Sequence, residues 1–314
     1  METYFGSLIV LLFLRIPLIY TNITDSNVVT HEKHSTTLQI STPASSDSVT
    51  KKCDYPPCKN GVEHTMCLYP ETMDKTAPKC SSVEAKFGVT DEHRKVILES
   101  HNLIRQKIAR GKEKGQPGAA DMMKLKWDME LENIAQRLVN NCEKSNYNDD
   151  ECRNLKDGTE VGQNSIKVLD EGANATKLFL KIVIFWYKKV SEVTPETVRK
   201  YNVDPRVETY TQLVWAKTDR VGCGYVEQNK IDDDYQPVLM ACNYAIAGNT
   251  PGQPVYLEGD YCTRCPEGTS CSFQYPGLCT SEVDDFGGIL VSNKRNTFVA
   301  LVIWKLAVGH VLIV

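Results

Sequence analysis

The sequence predicts an α/β domain built as a three-layer α-β-α sandwich, with a small cysteine-rich module behind it. Three observations predict it. Apolar residues recur at helical spacing between 90 and 190, short β-branched and aromatic runs fill 211–244, and four cysteines crowd into 262–279. Helices ahead of strands, with a helix for either face of the sheet, argue for layered packing.

Thr90 can cap the first helix, Asp91 and Glu92 suit the positive end of its dipole, and Gly111 can stop it. Ile97, His101, Ile104 and Ile108 form its apolar stripe. The loop Gly115-Gln116-Pro117-Gly118 breaks the pattern. A second helix starts near Asp128, with Leu131, Ile134, Ala135, Leu138 and Cys142 on one face. A third covers about 175–190, with Leu178, Ile182, Phe185, Trp186 and Val190 in register. Thr211, Leu213 and Trp215 alternate with Gln212, Val214 and Ala216, which predicts a strand; 221–226 and 238–244 predict two more.

At 314 residues and 41% hydrophobic content, the chain can hold one core of about 150–200 residues plus appendages. A net charge of −4 gives no footprint for nucleic acid. The apolar run Leu8-Ile9-Val10-Leu11-Leu12-Phe13-Leu14 is too short to span a bilayer and reads as the core of a signal peptide over 1–21; a short membrane anchor is the alternative. Residues 22–52, rich in Ser and Thr, bury too little to fold.

Twelve cysteines behind an export signal read as a disulfide framework, hence a secreted, extracellular protein. They tie an N-terminal extension over 53–85 and a module over 257–281, whose sparse apolar content needs crosslinks; the main domain runs from 86 to 256. Asn174 and Asn22 head glycosylation sequons, Asn174 being the better placed. Residues 282–314 form a linker and an apolar tail. A glycolipid-anchor signal, a single membrane span and a plain extension all fit that tail, so tethering to the outer cell surface stays open.

Three blocks carry a family resemblance. The stretch from Ser100-His101-Asn102 to Ala109-Arg110-Gly111, the block Tyr210-Thr211-Gln212-Leu213-Val214-Trp215 with Val221-Gly222-Cys223-Gly224 behind it, and Ala241-Cys242-Asn243-Tyr244 resemble insect antigen 5 venom allergens of the CAP superfamily, the cysteine-rich secretory, antigen 5 and pathogenesis-related proteins. Gly162-Gln163-Asn164 matches a further landmark. The resemblance implies a CAP-type sandwich and bridges Cys53–Cys67, Cys58–Cys152, Cys80–Cys142 and Cys223–Cys242. Cys223 and Cys242 also fall in neighbouring predicted strands, and closing such a loop is worth roughly 3 kcal/mol in the chain-entropy view. The late cysteines resemble the hinge of cysteine-rich secretory proteins, which implies Cys262–Cys271 and Cys265–Cys279; a zinc site is the rival reading of Cys262-x-x-Cys265.

Many relatives of this kind hold two His and two Glu in a cleft that binds a divalent metal. The resemblance puts Asp149 (or Asn148), Gln163, Lys189 and Thr209 at those positions. Thr, Gln and Lys supply no zinc ligand set, so neither metal nor cofactor is expected. His101, on an apolar stripe, reads as a hydrogen-bonded core histidine or, alternatively, a catalytic one. Asp149-Asp150-Glu151 and Asp232-Asp233-Asp234 read as solvated loops. With no nucleophile-and-base set, no catalytic residue is assigned. The expectation is a monomeric, non-catalytic binding or effector protein for a small amphipathic ligand such as a lipid or sterol, or for an extracellular protein. Phe179, Phe185, Trp186 and Tyr187 are the candidate lipid groove. A hydrolase and a membrane-anchored recognition protein are the rivals.

Overall fold

The computed structural model describes residues 53–69, 86–141, 150–172, 174–230 and 235–281. The signal peptide, the leader, Asn22, the tail, Cys80–Cys142, Asn148, Asp149 and the run 232–234 lie outside them. Among the described residues no helix is long and apolar enough to cross a membrane.

The sheet joins β1 (Lys126–Trp127), β2 (Val161–Asp170), β3 (Arg220–Glu227) and β4 (Gln236–Ala245) in the order β1-β3-β4-β2. β1 runs parallel to β3, and the other pairs are antiparallel. Parity along the strands sorts the layers. Val221, Cys223 and Tyr225, with Val238, Met240, Cys242 and Tyr244, enter a core shared with α2 (Asp91–Ala109), α4 (Ala175–Tyr187) and α6 (Glu208–Leu213). Val226, Leu239, Ala241 and Ala245 face α3 (Met129–Val139) instead. This is the three-layer α-β-α sandwich that the sequence predicts.

Caps set the helix starts. Thr90 and His93 form a reciprocal capping box on α2 at 3.2 Å each way, and Asp128 Oδ1 accepts the Glu130 and Leu131 amides of α3. Such caps are worth about 1 kcal/mol each. The chain leaves α2 through Gly111 at φ +61°, a conformation that favours glycine. The short α1 (Thr65–Leu68) and α5 (Pro195–Arg199) complete the helices described here.

Gly222 and Gly224 bring α3 onto β3 backbone to backbone. A Cβ at Gly222 would land on Glu132 N and Asp128 O, and one at Gly224 on Gln136 N and Cα. The side chains at these two positions must be absent for the layers to meet.

Arg105 binds α2 to the loops at the end of the sheet. It is fully buried, and its guanidinium donates to five carbonyls: Met123 (2.9 and 2.7 Å), Leu213 (3.0 Å), Trp215 (2.9 Å), Ala216 (3.2 Å) and Thr218 (2.8 Å). Burial pushes its pKa down to about 9, against the pull of Asp121 and Asp219. The carbonyls solvate the charge in place of water.

Several elements differ from expectation. Residues 208–213 form α6 rather than a strand, and Trp215 follows in a turn. Tyr210, Thr211, Gln212, Leu213, Val214 and Trp215 are all buried, so their alternation of type does not report alternating exposure. Strand β2 precedes α4, so helices do not all come before strands. α3 ends at Val139, short of Cys142, and α4 ends at Tyr187, followed by a 3-10 turn over Lys188–Glu192. Phe185 is 51% exposed instead of facing the core.

Disulfides join Cys53 to Cys67, Cys58 to Cys152, Cys223 to Cys242, Cys262 to Cys271 and Cys265 to Cys279. In the C-terminal module, β5 (Ser270–Cys271) pairs with β6 (Cys279–Thr280). The Cys279 amide donates to Met122 O (2.7 Å) and Cys279 O accepts from Lys124 (2.8 Å), which fastens β6 to the main domain.

Two substitutions test this account by urea unfolding. Gly224→Ala overpacks a backbone contact and is expected to cost at least about 1–3 kcal/mol. Arg105→Lys keeps the charge but has too few donors for the carbonyls, and an expected loss of about 2–4 kcal/mol follows from stranding buried acceptors.

Candidate functional site

The register of β2 on β4 sets Gln163 opposite Asn243 and Asn164 opposite Cys242. Gln163 Nε2 donates to Asn243 Oδ1 (2.8 Å) and to Asp150 Oδ2 (3.0 Å). Asp150 is 1% exposed, so it is not part of a solvated loop. Its carboxylate also accepts from Thr65 Oγ1 and from Arg153 Nε (3.1 Å). Thr65 lies on α1, so this carboxylate pins the N-terminal extension to the sheet. The carboxamide of Gln163 serves that joint and presents no base.

Asn164 opens a second polar chain. Its Nδ2 donates to Thr209 O (2.8 Å) and lies 3.4 Å from Tyr244 Oη, which is 3.0 Å from His101 Nε2. His101 Nδ1 meets Ile97 O at 2.7 Å, a contact only an N–H can make with a carbonyl. Burial keeps the ring neutral, so Nε2 accepts from the tyrosine. Burial drives its pKa down to about 4, with Arg105 adding to the shift. Both nitrogens are occupied inside the core.

Thr209 Oγ1 is buried with no hydrogen-bond partner, and so is Tyr210 Oη. The phenol of Tyr210 is pushed well above its usual pKa by burial, so it stays neutral. Lys189 Nζ lies 5.8 Å from the Phe185 ring centroid.

The other signature residues are structural too. Asn102 exchanges hydrogen bonds with the backbone of Leu125 at 3.0 and 2.8 Å. Gln212 accepts from Gly248 N (3.0 Å) and is pressed against Gly162, where any Cβ would collide with its side-chain oxygen. Trp215 packs edge-on against Tyr201 at 5.9 Å.

The candidate lipid groove is not formed as expected. Phe179 and Trp186 are 0% and 1% exposed, packed into the main core. Tyr187 hydrogen-bonds to Lys107 (2.6 Å) and Glu113. Phe185 is the most exposed of the four, and Tyr187 is half-buried. An open cleft of about 630 Å³ lies elsewhere, at the end of α2, and is lined by Arg110, Pro117, Glu258, Asp260 and Tyr261 among others.

Asn174 caps α4, its Oδ1 accepting from the Thr176 amide (2.9 Å) in an exposed position. Cys262, Cys265 and Cys279 bring three sulfurs within 4.8 Å of one another, but all three are bridged and none is a thiolate ligand.

Sequence reasoning missed Arg105 and Asp150. Arg105 sits beside Ile104 and one turn from Ile108 and His101, so the buried stripe of α2 already placed it inward. No local signal marks Asp150, whose partners are distant in the chain except for Arg153.

The bridges and the three layers define a disulfide-stapled α-β-α domain, and comparison with known proteins gives its family. Residues 98–244 match the cysteine-rich secretory protein (CAP) family. Venom allergen 3 of Solenopsis invicta is 36% identical over 217 residues, covering 66% of this chain and 89% of that protein. A cysteine-rich venom protein of Tityus serrulatus is 34% identical over 225 residues; the chain covers 71% of its own length there and only 52% of the relative, about half. The crystal structure of Na-ASP-1 superposes with a TM-score of 0.50 at 28% identity, covering 71% of this chain and 54% of that one. The chain belongs to the CAP family. Its relatives include insect and scorpion venom allergens of the antigen 5 type, at about 35% identity, and it shares the disulfide-rich character of such secreted proteins.

Two outcomes follow. The folded pKa of His101 lies below its ordinary 6.5, so the unfolded chain binds that proton first. The contribution is fully present above pH 6.5 and fades as pH falls towards about 4; it amounts to about 3 kcal/mol. In His101→Gln, the slope of urea-unfolding free energy between pH 7 and 4.5 should flatten relative to the parent. Thr209→Val removes an orphaned hydroxyl, so its urea midpoint should equal or exceed the parent's, by up to about 1 kcal/mol.

Proposed function

We propose that this CAP protein acts outside the cell as a non-catalytic binding or effector protein. The observation that supports this reading is the bonding of Gln163. At the position where relatives with a metal cleft carry a carboxylate, its amide donates to Asn243 and Asp150. His101, a second candidate for acid–base work, has both nitrogens bonded in the core. General acid–base chemistry needs a group that can reach a substrate proton, and neither residue is free to do so.

Between the two ligand classes, an extracellular protein is favoured over a sterol or fatty acid. The aromatics of α4 that would line a lipid groove are largely packed in the core, and the open cleft at the end of α2 has Arg110, Glu258 and Asp260 on its wall. Lipid sites are lined mainly by apolar side chains, whereas protein interfaces enrich Arg and Tyr, which Arg110 and Tyr261 supply in this cleft.

Zinc calorimetry and a peptide-library digest on the purified full chain test the non-catalytic reading. The expected results are no stoichiometric zinc uptake sensitive to Gln163→Ala, and no peptide turnover lost in that variant. Turnover that disappears with Gln163→Ala would reverse the proposal. Native mass spectrometry tests the choice of ligand, since a retained, exchangeable lipid would replace the protein partner.

A further inference from the structure

We propose that the C-terminal module is a thiol–disulfide exchange site, able to shuttle between two cysteine pairings when a solvent thiol attacks it. The pairing present is Cys262–Cys271 with Cys265–Cys279. The alternative is Cys262–Cys265 with Cys271–Cys279. Three observations place the second within reach of the first.

The sulfurs of Cys262, Cys265 and Cys279 lie within 4.8 Å of one another although they belong to two different bridges. Cys271 and Cys279 are direct cross-strand partners in the β5–β6 ladder. A bridge across such a pair is already used in this molecule, because Cys223 and Cys242 are direct partners of β3 and β4 and are joined. Finally, burial differs along the set. Cys271 is exposed, Cys262 and Cys265 are partly covered, and Cys279 is fully buried, so a reagent from solvent meets Cys271 first.

The exchange balances without net oxidation. A thiolate of a small thiol or of a protein dithiol attacks Cys271 Sγ, forms a mixed disulfide and expels the Cys262 thiolate. Cys262 attacks Cys265 Sγ across the short gap, which breaks Cys265–Cys279 and leaves a Cys279 thiolate. Cys279 then attacks Cys271 Sγ across the ladder and releases the original thiolate. Two bridges enter and two leave. Each step depends on a thiolate as the attacking group, so the exchange is faster at higher pH.

The consequence is mechanical. In the first pairing Cys265 holds the loop around 260–265 to β6, which is itself hydrogen-bonded to Met122 and Lys124 of the main domain. In the second pairing that tether is gone, and the loop keeps only backbone bonds such as Arg264 N–H to Ala120 O at 3.0 Å. The loop carries Asp260 and Tyr261 of the cleft at the end of α2, so exchange would loosen one wall of it. This inference does not rest on the proposed binding role.

The test uses the full chain with a sub-stoichiometric amount of glutathione near pH 8, followed by acid quench, alkylation and mass-spectrometric mapping without reduction. Cleavage after Arg264, Glu267 and Phe273 separates all four cysteines, so each pairing gives distinct peptides. The expected result is the joint appearance of Cys262–Cys265 and Cys271–Cys279 linkages at matching levels, with Cys223–Cys242 unchanged. Recovery of the original pairing alone, after exposure that labels Cys271 with glutathione or fails to label it, would overturn the proposal. Cys271→Ser offers a second reading: its odd thiol should be found at Cys279 as well as Cys262, whereas confinement to Cys262 with Cys265–Cys279 intact counts against exchange.

Discussion

The buried guanidinium of Arg105 is the constraint around which the domain closes. A full charge without water is tolerable only if its donors are met, and here the acceptors come from the loop before β1 and from the segment between α6 and β3. Backbone amides also reach two of them, Met123 N–H to Ala216 O (3.0 Å) and Thr218 N–H to Trp215 O (3.2 Å), and Arg105 supplies further donors to these and to the carbonyls of Met123, Leu213 and Thr218. One side chain therefore answers two problems, the desolvated cation and a cluster of buried acceptors. The turn carrying Trp215, Ala216 and Thr218 is held in place by α2, and α6 with it.

The same economy explains why a family signature need not mark a catalytic centre. His101, Asn102, Gln212, Asn243 and Tyr244 all have hydrogen-bond partners within the protein. Removing any of them strands a partner in the core, which is reason enough for such residues to be demanding positions. The cleft positions differ in kind: Gln163 has been drawn into the joint with Asp150, while the hydroxyl of Thr209 has no bond at all.

Much of the architecture was legible from residues alone. The cap at Thr90, the helix start near Asp128 and the stripes of α2 and α3 report local physics, so they read correctly without tertiary context. The strand expected over 211–216 failed for the opposite reason, since every residue from Tyr210 to Trp215 is buried and the run shows no amphipathic period. β2 escaped notice because its polar start at Gly162-Gln163-Asn164-Ser165 resembles a loop; only pairing with β4 makes it a strand. At the candidate site, the resemblance implies Gln163, Thr209 and Lys189 in place of imidazole and carboxylate ligands. The partnership of Gln163 with Asp150 and Thr65 could not be read that way, because it depends on α1, β2 and a connecting segment meeting in space.

The glycine pair on β3 bears on how this scaffold could adapt to a partner. At Gly222 and Gly224, α3 and β3 meet without the rotatable groups that let packed surfaces glide or repack. Sliding of α3 along β3 is blocked there by backbone contact, whereas on the opposite face α2, α4 and α6 meet the sheet through full-sized side chains that can change rotamer.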